Sequence, residues 1–551
     1  MCKTVPFDPE PVSPGTLAPL KNPLFRSIWL ANQISNLGWL MQTVAISWLM
    51  ATISTSNVMV ALVQASATLP AFFLSIFAGA IADNFSRRSV MLFGRCLIAA
   101  AFISMTLLLA LGVVDPWIIL ALSFLAGCGV AFNDPAWQAS VGDLVDRADV
   151  PAAVTLISVG FNTIRSIGPA LGGILVASLG PMIALALAAI GSLAPLWVIW
   201  RSKWPTRSLS LPREPMRTAI YDGLRFAAMS SDIKASISRG TLLGVAGIAL
   251  LALLPLVVRD QLGKGPIAYG ILMAGFGGGA VLAGICNSFF RRILSQERLI
   301  MIACLACSTC SACLALTQSI SVAVLALAVG GAGWVTAWSG LGVSIQLASP
   351  RWVVGRSLSI YYAFTYGGIA AGSWLWGAVA ENFSLAMAMG GSAGALLLVA
   401  GTGFFLPIRG SQESDLDSLE KFNVPELALE LKPRSGPIVV KIEYRVPEQN
   451  AKAFLGLMPE RRRAQSRAGA RYWNLQRDLQ EPSHWIETYR TPTWNDYLRL
   501  NYRLTTADTE LDERLLHLLE ENILPQLTLS IERSSAPGRK AEQPRPFVSH
   551  P

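Results

Sequence analysis

Charged residues are scarce in this sequence. Asp, Glu, Lys and Arg make up 14% of its 551 residues, whereas soluble globular proteins contain about 25%. The scarcity is uneven, because residues 411–551 hold 20 of the 44 basic and 21 of the 35 acidic residues. The first 410 residues are therefore too poor in charge for a soluble domain, and they are net basic. This composition predicts a membrane part followed by a soluble part.

Motifs for ATP hydrolysis and for metal-dependent hydrolysis are also absent. The sequence contains no G-x-x-x-x-G-K-[ST] phosphate loop and no H-E-x-x-H pair. Its three histidines, His484, His517 and His550, all lie in the charge-rich part. We predict that the protein is not an enzyme, takes no cofactor and no metal, and is driven by an ion or substrate gradient.

Four cysteines have the three-residue spacing of iron–sulfur ligands. They are Cys304, Cys307, Cys310 and Cys313, and they lie within an apolar run that is expected to be helical. Each step of three residues along a helix rotates the side chain by about −60°, so the thiols spread over half of the helix surface. We interpret them as small packing residues.

Twelve apolar runs reach the length of about 20 residues that a helix needs to cross a bilayer. Short links between them predict antiparallel neighbours, and the longest link separates two sets of six, a layout typical of transporters built from repeats. The predicted fold class is therefore an all-α membrane protein of two six-helix halves. The runs are residues 27–51, 57–81, 89–113, 116–141, 151–178, 181–200, 237–258, 266–289, 299–318, 320–347, 357–380 and 383–406.

Basic residues lie mainly in alternate links between these runs. Arg87 and Arg88 follow the second run and Arg147 follows the fourth, whereas most of the intervening links carry almost none. Basic links stay on the cytoplasmic side of a membrane. We therefore predict a multi-pass protein of the cell inner membrane with both termini in the cytoplasm.

The C-terminal part changes to an alternation of apolar and polar residues from Val439 to Val446, which predicts a β-strand. The helix and strand patterns that follow have the order of a small α+β, ferredoxin-like domain. We interpret this domain as regulatory or dimerising, and a catalytic or ligand-sensing role is the alternative. The predicted segments are a flexible N-terminus (1–24), the first half (25–200), a cytoplasmic linker with an amphipathic helix (201–235), the second half (236–408), a linker (409–436), the α+β domain (437–525) and a disordered tail (526–551).

Polar residues inside apolar spans are costly and tend to face a cavity. Arg165 lies near the middle of the fifth run, close to Asn162, and Asp134 with Asn133 lies on the fourth. Two interpretations of Arg165 stand side by side. It pairs with Asp134, or it serves an anionic substrate or proton coupling.

Uncharged polar and aromatic residues extend this set. Asn32, Gln33 and Asn36 lie close together on the first run, because residues four apart are neighbours on a helix. Packing is the common role of aromatic residues in spans, but in combination these side chains predict an apolar cavity with a few polar groups. The remaining candidates are Gln64 on the second run and Trp338, Tyr362 and Tyr366 on the tenth and eleventh.

The stretch G-A-I-A-D-N-F-S-R-R, residues 79–88, joins the second and third runs. Its acid, Asp83, and its bases, Arg87 and Arg88, either anchor the loop at the membrane surface or close a cytoplasmic gate. The stretch resembles the loop motif G-x-L-A-D-R-x-G-R-R of the major facilitator superfamily. That resemblance implies a gating role for the acid and the two bases.

A second motif lies on the fifth run, where Gly168, Pro169, Gly172 and Gly173 resemble the antiporter signature of the same superfamily. Proline opens a backbone hydrogen bond and glycines admit a close neighbouring helix, so plain helix packing is the alternative interpretation. In the superfamily this signature is more frequent in exporters than in importers.

The tail sequences I-V-V-K-I-E-Y-R-V-P and W-N-D-Y-L-R-L-N-Y-R-L are similar to those of the transmembrane secretion effector subgroup, whose membrane part is similar to enterobactin exporters. The resemblance implies a secondary transporter that exports a small organic molecule, such as a siderophore or drug, by proton-coupled alternating access. The expected partners are the substrate, a proton gradient, the lipid bilayer and a second copy bound through the tail, but no nucleic acid. The rival hypothesis is a membrane-anchored sensor or enzyme whose tail carries the activity.

Overall fold

The computed structural model describes residues 17–84, 86–146, 149–204, 216–350, 353–408, 425, 427–520 and 524–533. The chain forms two compact units that divide near residue 410. The first, the membrane unit, is helical. The second, the tail unit, combines helices with a sheet.

Six long helices make the first half of the membrane unit. Each starts where a cap or a proline favours it: the Asn22 side chain accepts hydrogen bonds from the backbone N–H groups of Leu24 and Phe25, and Asp115 caps the fourth helix at Trp117. The helices are α1 (Pro23–Ile53), α2 (Asn57–Asn84), α3 (Arg87–Ala110), α4 (Pro116–Leu144), α5 (Val150–Leu179) and α6 (Pro181–Arg201).

The second half begins with a surface helix and continues with long helices. Its elements are α7 (Met216–Met229), α8 (Ser231–Gly247), α9 (Ala249–Ala252), α10 (Leu254–Leu256), α11 (Pro266–Ile293), α12 (Gln296–Leu316), α13 (Ile320–Leu347), α14 (Val354–Asn382) and α15 (Leu385–Gly401). The sequence predicts one span over 237–258. In the structure the helix starts earlier, at Ser231, and is interrupted near Pro255, which cannot donate a backbone hydrogen bond.

Nine helical segments of the described residues are long and apolar enough to cross a membrane, judged by length and composition. They are α2, α3, α4, α6, the run from Ser231 to Gln261, α11, α12, α13 and α15. The three other long helices, α1, α5 and α14, carry most of the polar and aromatic candidates from the sequence. The chain is thus a mostly helical, multi-pass membrane protein with a small C-terminal sheet.

The two halves meet along two helix pairs, α5 with α11 and α2 with α14. Both pairs approach closely at glycines. A Cβ built on Gly173 would lie 2.6 Å from Gly270 Cα, and one built on Gly377 would lie 2.8 Å from Ala61 Cβ. Such short separations exclude larger side chains at these positions.

The tail unit contains a four-stranded antiparallel sheet in the order β2-β3-β1-β4. Alternate residues of β1, from Ile438 to Tyr444, are buried, as the period of a strand with one covered face requires. The elements are β1 (Ile438–Arg445), α16 (Ala451–Ala468), β2 (Arg471–Arg477), β3 (His484–Thr491), α17 (Trp494–Arg503), α18 (Thr506–Leu516) and β4 (Gln526–Ile531).

Strand β4 departs from the sequence analysis, which assigns residues from 526 onward to a disordered tail. The strand pairs with β1, and Leu529 lies opposite Val440. Its side chains are mostly exposed, so its hydrophobic pattern is weak. Backbone hydrogen bonds to a neighbour distant in sequence, which the local pattern does not encode, hold it in the sheet.

Candidate functional site

A buried arginine that the sequence analysis overlooked organises the first half. Arg95 on α3 is 6% exposed, and its guanidinium donates hydrogen bonds to three side chains. The acceptors are Asn32 Oδ1 at 2.7 Å, Ser35 Oγ at 3.0 Å and Asn133 Oδ1 at 3.0 Å. All these bonds join α3 to α1 and α4, so Arg95 ties three helices together.

Asp134 extends this network toward the second half. The Asn133 side-chain amide donates to Asp134 Oδ1 at 2.9 Å, and Asp134 interacts electrostatically with Arg95. Asp134 also interacts electrostatically with Tyr366 of α14. Asp134 is exposed and lies near Arg95 of its own half and Tyr366 of the second half, so it lies on the side of α4 that faces the second half.

Arg165 on α5 lies on the same space but has a different environment. Its guanidinium carbon is 6.0 Å from the centre of the Phe276 ring on α11, and it interacts electrostatically with Tyr366. Within the described residues it forms no salt bridge, so the structure does not show the direct pairing with Asp134 that is one of the two interpretations above. Arg165 is half-buried, and no described residue accepts a hydrogen bond from the N–H donors of its guanidinium.

The second half contributes an aromatic cluster. Trp338 on α13 lies 6.3 Å from Tyr362 and 5.7 Å from Tyr366, measured between ring centres, and the two tyrosines on α14 are 6.2 Å apart. All three rings are half-buried. The structure therefore brings these three sequence candidates together, and Tyr366 lies within electrostatic range of Asp134 and Arg165.

The uncharged candidates on α1 do not share one role. Asn32 faces Arg95, whereas Gln33 packs against Gly160 of α5, where a Cβ would overlap its amide. Asn36 is half-buried and has no hydrogen bond from its side chain among the described residues, as is true of Gln64 on α2. The side chain of Asn162 lies outside the described residues.

The two arginines of the 79–88 loop contact the first half. Arg87 forms a 2.5 Å salt bridge with Asp143 near the end of α4. Arg88 donates to the backbone carbonyls of Ile199 and Trp200 at the end of α6, at 3.2 and 2.6 Å. The side chain of Asp83 lies outside the described residues. These bonds join α3 to α4 and α6 at the loop.

The glycine motif of α5 faces two helices at once. A Cβ on Gly168 would lie 2.8 Å from Leu40 Cβ, and one on Gly172 would lie 2.9 Å from Met41 Cα, both on α1. Gly173 instead faces Gly270 of the second half, and a Cβ built on Gly270 would lie 3.1 Å from the carbonyl oxygen of Pro169. The motif therefore packs α5 within its own half and across the interface.

A further set of contacts joins the halves at the end of the bundle opposite to the 79–88 loop. Glu381 at the end of α14 accepts hydrogen bonds from Ser56 Oγ and from the backbone N–H of Val58. Asn57 donates to the carbonyl of Ala380 at 3.2 Å, and Arg259 donates to the carbonyl of Ala51. Together these bonds join the two halves at this end.

Arg95, Asp143 and Glu381 are functional candidates that the sequence analysis missed. The sequence did indicate Arg95, because an arginine inside the predicted span 89–113 costs free energy unless other groups pair with it. Asp143 and Glu381 lie at helix ends, where acidic residues are common. Only their bonding partners in the folded structure identify them as candidates.

The sequence is similar to characterised transporters over most of its membrane part. It is 26% identical over 372 residues to the enterobactin exporter EntS of Salmonella typhi, a match that covers 65% of this chain and 85% of that protein. It is also 26% identical over 394 residues to the enterobactin exporter EntS of Escherichia coli, covering 69% and 90%.

Solved structures show the same fold at low sequence identity. A bacterial homologue of the lysosomal transporter Spinster, in an inward-facing and occupied conformation, matches with a TM-score of 0.56 at 14% identity, covering 70% of this chain and 97% of that one. A D-xylose–proton symporter matches with a TM-score of 0.56 at 14% identity, covering 70% and 98%. The model of the family described as transmembrane secretion effector matches residues 14–536. The chain thus belongs to the transmembrane secretion effector family and is a secondary transporter of the major facilitator superfamily.

Proposed function

We propose that this transporter exports a small organic molecule across the bacterial inner membrane, by alternating access and in exchange for protons. The observation that carries the proposal is the placement of Asp134 and Arg165 on the space between the halves, beside the aromatic cluster and with no salt bridge between them among the described residues. Opposite charges that remain separate in a membrane unit are available to a substrate and a proton.

The aromatic cluster supports a substrate with a flat ring system. Trp338, Tyr362 and Tyr366 offer ring faces, and Arg165 offers hydrogen-bond donors to an acidic or phenolic group at the other side of the space. An aromatic molecule that carries such oxygens, for example a catecholate siderophore, combines both features. The names of the exporter relatives agree with this class of substrate.

Asp134 is the residue that we assign to proton coupling. Arg95 holds Asn133, and Asn133 in turn donates to Asp134, so two hydrogen bonds position the carboxylate. Protonation removes its negative charge from the space that also holds Arg165. Arg95 itself is a positioning residue, because each of its three guanidinium nitrogens donates a hydrogen bond, to Asn32, Ser35 or Asn133.

We assign gating to the two ends of the bundle. Asp83, Arg87 and Arg88 form the cytoplasmic gate, where the salt bridge from Arg87 to Asp143 holds the ends of the first-half helices. The contacts of Glu381 with residues 56–58 form the opposing, periplasmic gate. Between the gates, the close approach of Gly173 to Gly270 lets the halves pivot.

The proposed topology has twelve spans with both termini in the cytoplasm, since α1, α5 and α14 add to the nine apolar segments. The tail unit has the element order β-α-β-β-α-α-β and the strand order β2-β3-β1-β4, which supports a ferredoxin-like fold. We assign the tail a regulatory or dimerising role. The rival hypothesis, in which the tail acts and the spans anchor it, is not favoured, because the exporter relatives align with 65–69% of the chain.

The test is transport into inverted membrane vesicles that contain the full-length chain. With an imposed proton gradient, we expect wild type to accumulate an iron-free catecholate siderophore, and Arg165→Ala to lose this accumulation. Arg298→Ala is the matched control, because Arg298 is exposed at the start of α12 and makes no side-chain bond in the described residues. A hydrophobic cationic dye tests the substrate class.

Each outcome decides one part of the proposal. Accumulation that does not respond to the proton gradient overturns coupling, and equal transport by Arg165→Ala and wild type overturns the role of Arg165. Transport of the dye alone overturns the acidic aromatic substrate but keeps export. If well-folded wild-type protein transports neither compound, the proposal that it exports such molecules is wrong.

A further inference from the structure

The tail unit contains a cavity that neither the transport proposal nor the family match explains. Its volume is about 310 Å³, near the lower end of the range for small-molecule pockets. It lies between the sheet and the helices α16, α17 and α18. Most of its wall is apolar, formed by residues that include Ile442, Leu504, Leu515, Leu519, Pro525 and Leu527.

Charged residues at one side of the cavity are already balanced. Arg461 is 7% exposed and bonds to Glu487 and to Asp512. Glu487 is fully buried and also accepts from Tyr444 at 2.6 Å and from Trp473 at 2.7 Å. Two carboxylates against one guanidinium leave this side with no surplus positive charge, so an anionic ligand finds repulsion there.

The Gln465 side chain brings to the cavity a buried oxygen that has no hydrogen-bond partner among the described residues. Gln465 is 2% exposed and lines the cavity. Its Oε1 is buried without a hydrogen-bond partner, and no described residue bonds to its Nε2. A buried amide that lacks partners is costly in a folded protein. It therefore presents one donor group and one acceptor to whatever occupies the cavity.

We propose that this cavity is a binding site for an uncharged, mainly apolar small molecule with one polar end that both donates and accepts hydrogen bonds, such as a primary amide, an alcohol or a phenol. The Gln465 amide bonds the polar end, and the leucine-rich wall covers the apolar body. The tyrosines Tyr489 and Tyr497 also line the cavity. The site belongs to the tail and stands whether or not the membrane unit exports the substrate proposed above.

The test uses hydrogen–deuterium exchange on the full-length chain in lipid nanodiscs, read from peptides of α16 and β3. The probes are 4-propylbenzamide and 4-propylbenzoate, which have nearly the same shape and differ in charge. At ten times its Kd, the amide is expected to slow exchange of these peptides about tenfold. The benzoate is expected to leave their exchange unchanged at the same concentration.

Variants assign the effect to the cavity. Gln465→Leu is expected to abolish the slowing by the amide probe, whereas Gln476→Leu, the same change on the exposed side of β2, keeps it. Leu516→Trp blocks the cavity at a residue that is 43% exposed, and it should abolish the slowing without touching the amide of Gln465. Equal slowing by both probes, slowing that survives in Gln465→Leu or Leu516→Trp, or no slowing of wild type by the amide each overturns the proposal.

Discussion

Two arginines in the first half of the membrane unit differ in what surrounds them. Arg95 is buried among Asn32, Ser35 and Asn133, with a hydrogen bond to each. Arg165 is half-buried beside the ring of Phe276 and forms no salt bridge within the described part of the chain. The comparison teaches that a cation with fixed hydrogen-bond partners is structural, whereas one without them is available for function.

The same distinction applies to the tail unit. Arg461 resembles Arg95, because carboxylates occupy its donors, whereas Gln465 resembles Arg165, because it is a polar group that faces a cavity. Unpaired polar groups are expensive to bury. Their presence in both units therefore marks a site for each, and the following variants test the distinction.

The largest effect is expected for Arg95→Leu. This change leaves three buried side chains without their donor, at a cost of about 1–3 kcal/mol each, so the membrane unit should unfold or aggregate. Arg165→Leu should leave thermal unfolding in nanodiscs unchanged, because no described partner loses a bond. If the two variants melt alike, the distinction between fixed and available arginines is wrong.

Gly173→Leu tests the contact that lets α5, the helix of Arg165, approach the second half. The added side chain meets the backbone of Gly270 and Pro266, and overpacking costs about 1–3 kcal/mol, equivalent to roughly 5- to 150-fold in a conformational equilibrium. We expect the transport rate in vesicles to decrease by a factor within that range. Gly278→Leu on α11 is the control, since a Cβ there meets nothing within 4 Å. Equal transport by the two variants would contradict the pivot.

Asp134→Asn separates coupling from substrate binding. The amide keeps the size of the side chain and can still accept the hydrogen bond from Asn133, but it cannot bind and release a proton as a carboxylate does. We expect accumulation driven by the proton gradient to stop, while exchange of labelled for unlabelled substrate continues. Loss of both activities would assign Asp134 to the substrate, and loss of neither would remove it from the site.

Gln465→Leu is expected to have a smaller effect and, in the absence of ligand, to stabilise the tail unit. A buried polar group without partners costs about 1–3 kcal/mol, so its replacement by leucine should raise the free energy of unfolding of the tail by about 1 kcal/mol. Hydrogen exchange of β1 and β3 amides in the full chain measures this change. Gln476→Leu should stay within about 0.5 kcal/mol of wild type. Destabilisation by Gln465→Leu would show that its amide is paired.

The smallest effect concerns a paired carboxylate near the surface of the tail. The bond from Lys441, with a further contribution from His484, lowers the pKa of Glu443 below its ordinary value of 4.5. A lowered pKa contributes stability that is present above pH 4.5 and is lost as the pH falls through the folded-state pKa. Glu443→Gln should therefore cost about 0.5 kcal/mol at pH 7, and this cost should shrink as the pH falls below 4.5, as measured by hydrogen exchange of β1. A difference between wild type and variant that grows toward acid would contradict the pairing.

Much of the architecture could be predicted from local sequence. The apolar runs predict the helices of the membrane unit, and the alternation near residue 440 predicts β1. The family resemblance, carried by the 79–88 loop, the glycines of α5 and the tail, is confirmed by the family match. Strand β4 could not be predicted in this way, because its pattern is weak and its partner strand lies about 90 residues away.

The polar candidates were harder to predict. Asn32, Gln33 and Asn36 are close in sequence, yet Asn32 bonds to Arg95 and Gln33 packs against Gly160, whereas Asn36 has no side-chain hydrogen bond among the described residues. Sequence spacing places residues on a helix face but does not say which neighbour covers that face. Arg95 carried a signal, its charge within a span, and that rule alone would have added it to the candidates.

By itself the sequence determined that the first 410 residues enter a membrane and that a charge-rich domain follows, because both depend on the composition of contiguous segments. It also determined the family, since short motifs survive as contiguous residues. The tertiary structure alone decided which polar groups are paired and which face a cavity. Pairing depends on how helices rotate against partners far along the chain. Arg95 and Arg165 both lie inside apolar runs, and only the folded structure shows that their partners differ.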